Sequence, residues 1–201
     1  MPMKMDKSKK SAIIQDSELD IIKKIRIGDQ YAFRYLFKKH YSSLVKSARR
    51  YVGNTQIAED IVEDVFLNIW KKRTQLNINT SVKAYLFSMV RNHALNHVKR
   101  KKLEETDSFY LNITIPSNVS ADQQVTINEL TEHIQKAIAE LPERTRCVFT
   151  MHRYDNLKYS EIAEVLKIAE GTVETHMVRA LKFLRKRLAF LLSTLILLNK
   201  I

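Results

Sequence analysis

Asp60 and Asp64 stand four residues apart, the spacing at which two carboxylates share a helix face and could hold a divalent cation for phosphodiester chemistry. His93 and His97 have the same separation, which suits a pair of zinc ligands. Neither set is completed. No Glu follows His93, no nearby Cys, Asp or third His adds a ligand, and no acid from another segment converges on the aspartates. A Gly-rich loop to cradle phosphate is missing too, as the chain has three glycines in 201 residues. We therefore expect no catalytic residue, no metal and no cofactor, and look for binding chemistry instead.

Binding chemistry is abundant. The net charge is +12, and residues 1–103 hold 22 Lys and Arg against 9 Asp and Glu. Between Val65 and Leu103 there is no acid at all, while nine bases alternate with Trp70, Tyr85, Phe87, Asn92 and Asn96. Lys and Arg attract phosphate without reading sequence; Asn and Arg can address base edges, and aromatic rings can hold unstacked bases. Just upstream, Glu59, Asp60, Glu63 and Asp64 cover one side of a helix whose other side carries Ala58, Ile61, Val62, Val65 and Ile69. An acidic face repels DNA, so it is a candidate protein-docking surface.

The elements that must position these residues are helical. Only three Pro and three Gly punctuate periodic runs of Leu, Ile, Lys, Glu and Ala, which implies an all-α fold. Helices are expected over 17–27, 30–51, 56–73 and 82–103, then from a Ser120/Gln123 capping box to about Glu140, and again from Leu141-Pro142. Ser160 is expected to cap a helix over 161–166, and a Lys167-Ile168-Ala169 turn leads into a last helix from Glu170 to about Leu188. Val173, Met177, Ala180, Leu181, Leu184 and Leu188 would face its core. That pair reads as a helix-turn-helix. The organisation is two small helical domains, 17–103 and 120–190, joined by a flexible linker over 104–119 and followed by an apolar tail over 191–201. Cys147 is expected to be a small buried hydrophobe.

Two blocks in the first domain, Ala58 to Phe66 and Ser81 to Asn96, resemble the conserved regions of extracytoplasmic-function sigma factors of bacterial RNA polymerase. Leu141 to Arg146, Tyr159 to Leu166 and Thr172 to Leu181 resemble the second DNA-binding domain of that family, and all blocks stand in family order. The resemblance implies a factor that binds core RNA polymerase and directs recognition and opening of promoter DNA. It implies polymerase docking through Asp60, Ile61, Glu63, Asp64 and Phe66. It places minus-10 DNA against Arg73, Lys83, Tyr85, Arg91, Asn92, Asn96, Lys99 and Arg100, with an extruded base in the Thr74–Thr80 loop. Minus-35 DNA would lie against Glu170, Gly171, Thr172, Glu174, Thr175, Arg179 and Lys182. An anti-sigma factor is a further implied partner. Three positions depart from the family pattern: Glu63 replaces the usual Gln, Ala169 replaces a usual Ser, and Gly171 loosens the first turn of the recognition helix.

Two other readings compete. A response-effector type of transcription regulator would share the final helix-turn-helix but would not need the acidic and basic helices before it. A transposase or nuclease would need convergent carboxylates. The N-terminus has positive charge without an apolar run behind it, and the apolar Leu188–Leu198 stretch is shorter than the roughly 20 residues a bilayer requires. A cytoplasmic protein without membrane insertion is expected, with the tail packed on the first domain or on a regulatory partner.

Overall fold

The computed structural model describes residues 17–78, 80–104 and 124–198, and side chains over 17–78, 80–101 and 131–189. The fold is all-α and divides into two compact units, Met1–Phe109 and Tyr110–Ile201. The expected linker and the Ser120/Gln123 capping box lie outside the described residues, as does the packing of the apolar tail. Among the described residues, no helix is long and apolar enough to cross a membrane.

The first unit contains α1 (Glu18–Arg26), α2 (Gln30–Val52), α3 (Thr55–Lys71), a 3-10 turn (Arg73–Gln75) and α4 (Val82–Glu104). Each start has a local cause. Ser17 Oγ accepts from Asp20 N–H at 3.2 Å, Asp29 Oδ1 accepts from Tyr31 and Ala32 N–H, and Asn54 Oδ1 accepts from Ile57 N–H. Gly53, at φ 71°, ends α2 in the left-handed conformation, and its N–H donates to Arg49 O at 2.8 Å. α2 packs against α3 and α4, and α1 lies across α2. Ile21, Ile25, Leu36, Leu44, Val62, Leu86 and Phe87 fill the core between them. The chain between α3 and α4 is anchored, since Leu76 drops into the core at 5% exposure.

The second unit contains α5 (Gln124–Ala139), α6 (Glu143–Asp155), α7 (Tyr159–Leu166) and α8 (Glu170–Leu198). α8 packs against the other three, burying Val173, Met177, Ala180 and Leu184 over Val148, Leu157 and Ile162. The turn before α8 holds Lys167 at φ 54°, and Ile168 N–H donates to Ala163 O at 3.1 Å.

Several expectations are corrected. Ser160 does not cap α7: Glu161 Oε2 accepts from Lys158 N–H at 2.9 Å, so the helix begins at Tyr159 and leaves Ser160 exposed inside it. Pro142 takes the capping position of α6 rather than its first turn. Leu181 is 49% exposed, because the buried ridge turns past it from Met177 to Ala180 and Leu184. Cys147 is half-buried rather than buried. α8 also runs about ten residues beyond its expected end, to Leu198.

Candidate nucleic-acid interface

On α3, Ala58, Ile61, Val62, Val65 and Ile69 are buried, so the opposite side faces solvent. Asp60, Glu63 and Asp64 are exposed there. Gln56 Nε2 donates to Asp60 Oδ1 at 3.2 Å, and Tyr41 OH donates to Glu63 Oε1 at 3.5 Å. Burial, then the nearby carboxylates of Glu59 and Glu63, push the Tyr41 phenol upward, so it stays a neutral donor. Ile61 and Phe66, expected in the docking set, are core side chains at 7% and 2% exposure. They shape the surface from below and cannot present themselves to a partner.

The sequence reading missed an aromatic cluster beside this acidic face. Phe33 meets Trp70 at 5.0 Å and Phe66 at 6.0 Å, while Phe37 meets Phe66 at 4.8 Å and Tyr41 at 4.7 Å between ring centroids. Gln30, Phe33, Arg34, Phe37, Leu67 and Trp70 line a cleft of about 440 Å³, where Leu67 is 53% exposed. The signal was present as Phe33, Phe37 and Tyr41 at four-residue spacing on α2.

Of the basic set, Tyr85, Asn92, Asn96 and Lys99 recur at helical spacing and form one strip along α4. Asn92, Asn96, Lys99 and Arg100 are exposed; Tyr85 is half-buried, and that burial pushes its phenol upward. Ser81 Oγ accepts from Ala84 N–H at 3.1 Å and fixes the start of this helix. Lys83 lies apart, with Nζ 5.9 Å from the Phe87 ring. Arg91 is half-buried off the strip, and its Nε has no hydrogen-bond partner among the described residues. Arg73 belongs to another element: Nη1 donates to Trp70 O at 3.0 Å and the guanidinium sits 4.8 Å from the Trp70 ring centre. Of the Thr74–Thr80 loop, Asn79 lies outside the described residues. Among the described residues, no group of three or more His, Cys, Asp or Glu could hold a metal.

In the second unit, Glu170, Gly171, Thr172, Glu174, Thr175, Arg179 and Lys182 are all exposed on α8. Ala169 occupies the position before the helix, its carbonyl accepting from Thr172 and Val173 N–H, but its side chain offers no cap. Two side-chain links hold α8 from behind. His176 Nδ1 is 3.0 Å from the buried Thr145 Oγ1. Arg187 forks onto Glu140 with two bonds of 2.9 Å and lowers the pKa of that carboxyl.

Comparison with known proteins covers both units. Residues 36–104 match the family model for Sigma-70 region 2, and residues 131–184 match that for Sigma-70, region 4. The ECF RNA polymerase sigma factor SigW of Bacillus subtilis is 29% identical over 180 residues, 83% of this chain and 94% of its own. The ECF RNA polymerase sigma-E factor of Escherichia coli is 22% identical over 169 residues, 80% of this chain and 88% of its own. Among solved structures, CnrH in complex with the cytosolic domain of CnrY aligns with a TM-score of 0.61 at 20% identity, covering 89% of this chain and 99% of that one. The sigma factor RpoE of Bartonella quintana, solved with the anti-sigma factor NepR, also gives 0.61 at 20% identity, covering 78% and 96%.

Proposed function

From the membership of this chain in the ECF type of sigma-70 family sigma factors, with region 2 and region 4 domains, we propose that it docks core RNA polymerase through α3 and reads a bipartite promoter through α4 and α8. Sigma factors are non-catalytic specificity subunits, and family identity implies polymerase binding and promoter recognition. The finer assignment to surfaces rests on one observation above all: an exposed acidic face and a basic helix whose one acid is its last residue, Glu104, follow one another in a single unit. A protein meant only for DNA gains nothing from Asp60, Glu63 and Asp64 on its surface. A factor joining polymerase to DNA needs both signs of charge on separate faces.

Docking would use these three acids together with Leu67 and the adjoining aromatic cleft. The α4 strip would follow minus-10 DNA, with Asn92 and Asn96 addressing bases and Lys99 and Arg100 the phosphates. The Thr74–Thr80 loop would receive the extruded base, whose unstacking costs a few kcal/mol and is offset by pocket contacts. α8 would enter the major groove of the minus-35 element. RpoE is seen in complex with the anti-sigma factor NepR and CnrH with the cytosolic domain of CnrY, and this chain is proposed to have an anti-sigma partner as well. Its place of action is the cytoplasm, beside the polymerase.

Reconstitution with core polymerase tests the reading. Start-site-specific transcription with two separated protected boxes is the expected result. Binding of the protein alone to one continuous palindrome would instead identify a regulator.

A further inference from the structure

We propose that α8 recognises thymine in the minus-35 element through the methyl groups of Thr175 and Val178, which makes Val178 a specificity-determining residue. The inference rests on the assignment of α8 to minus-35 DNA and names what that helix reads.

Val173, Met177, Ala180 and Leu184 form the buried ridge of α8. Directly opposite, at helical spacing, run Gly171, Thr175, Val178 and Lys182. Val178 is 60% exposed, an apolar side chain on the outermost line of the helix, with Glu174 one turn before it, Leu181 and Lys182 one turn after, and the cations Arg179, Arg185 and Lys186 along the same exposed side. Those cations suit phosphate, so the surface in which Val178 is set is one for nucleic acid.

Thr175 beside it is less polar than its name suggests. Its Oγ1 donates to Gly171 O at 2.8 Å, which occupies the only proton of the hydroxyl inside the helix. With that proton committed the hydroxyl can only accept, and in the proposed reading the methyl of Thr175 and the methyls of Val178, three residues on, present the apolar part of this surface. In the major groove only thymine offers an apolar group, its C5 methyl. Cytosine, adenine and guanine present donors and acceptors that such a patch would desolvate without replacing.

Gly171 completes the geometry. A Cβ there would meet nothing within 4 Å, and its φ is not positive, so the fold of this unit does not demand glycine. A bare backbone on the outward ridge instead allows a close approach to the groove, which brings short side chains such as Thr175 and Val178 within reach of base edges.

The test uses holoenzyme of core polymerase and the full chain. Promoters are selected from random DNA, and each thymine of the upstream box is replaced singly by deoxyuridine, which deletes only the methyl. For one or two positions the wild type should lose about four-fold in affinity, the equivalent of about 0.8 kcal/mol for one buried methyl. Val178→Ala should bind thymine and deoxyuridine alike at one such position, and Thr175→Ser, which keeps the hydroxyl bond, should do so at another or the same. A selected box without thymine, a wild type indifferent to every replacement, or a Val178→Ala protein that keeps the full penalty would each overturn the proposal while leaving minus-35 recognition intact. Absence of any upstream protection would overturn both.

Discussion

His40 Nε2 lies 3.0 Å from Glu18 Oε1, joining α1 to the middle of α2 across 22 residues of sequence. His40 is 5% exposed, and Lys39 Nζ approaches the same carboxylate oxygen at 2.7 Å. The hydrogen bond from His40 outweighs the cost of burial and, with Lys39, lowers the Glu18 pKa from 4.5 to about 2.

A depressed carboxyl pKa stabilises the folded state above the unfolded value and ceases to do so as pH falls through the folded one. Glu18→Gln should lower stability by about 1.5–3 kcal/mol at pH 6, the worth of hydrogen bonds to a charged group. The gap to wild type should close between pH 4.5 and 2. Urea unfolding of both proteins at several pH values measures it, and parallel curves would remove Glu18 as the clamp.

Charge reversal at Asp60 and Asp64 should weaken core polymerase binding with helix content unchanged, because both side chains are exposed and neither supports the core. Losses of about 1.5–3 kcal/mol per residue apply where the contact is desolvated, and less at a wet rim. Titration of labelled protein with core enzyme, beside circular dichroism, gives both readings. Unchanged affinity would exclude this surface.

Lys99→Ala and Arg100→Ala should each reduce the salt dependence of promoter binding by roughly one charge equivalent while leaving polymerase affinity alone. Both lie exposed on α4. Arg91→Ala is a less clean probe, since part of its guanidinium group is buried. A salt slope identical to wild type would mean that these side chains do not neutralise phosphate.

Ala169→Ser should stabilise the second unit by about 1 kcal/mol, because a hydroxyl at that position can accept from the first-turn N–H groups that Ala leaves without a side-chain acceptor. Thermal unfolding is the measurement. A serine variant that melts with the parent would indicate that the first turn of α8 is already satisfied by solvent.

Helical spacing made the architecture legible before any coordinates. The buried faces of α3 and α8 follow from apolar positions three and four residues apart, and Gly53 ends α2 because few other residues adopt its backbone. Local chemistry at helix starts was harder to read. Ser160 looked like a cap, but capping depends on which side chain reaches back, and Glu161 reaches Lys158. Sequence spacing also does not say how far a buried face extends round a helix, so Leu181 reads as core, while Phe66 enters the docking set through the resemblance and is buried. Contacts between distant segments, such as Thr145 with His176, leave no periodic trace, and the spacing of Phe33, Phe37 and Tyr41 does not by itself name Trp70 as their partner.

The two links behind α8 have a consequence for how accurately it can be aimed. His176 is held near the reading end and Arg187 eleven residues further on, about 16 Å away along the axis. The buried ridge from Val173 to Leu184 seats the helix, and the two separated links add to the definition of its direction. The rear one is an exposed ion pair, open to screening by salt. Ionic strength should thus act on this unit twice, once through the phosphates and once by blurring the bearing of the helix that faces them.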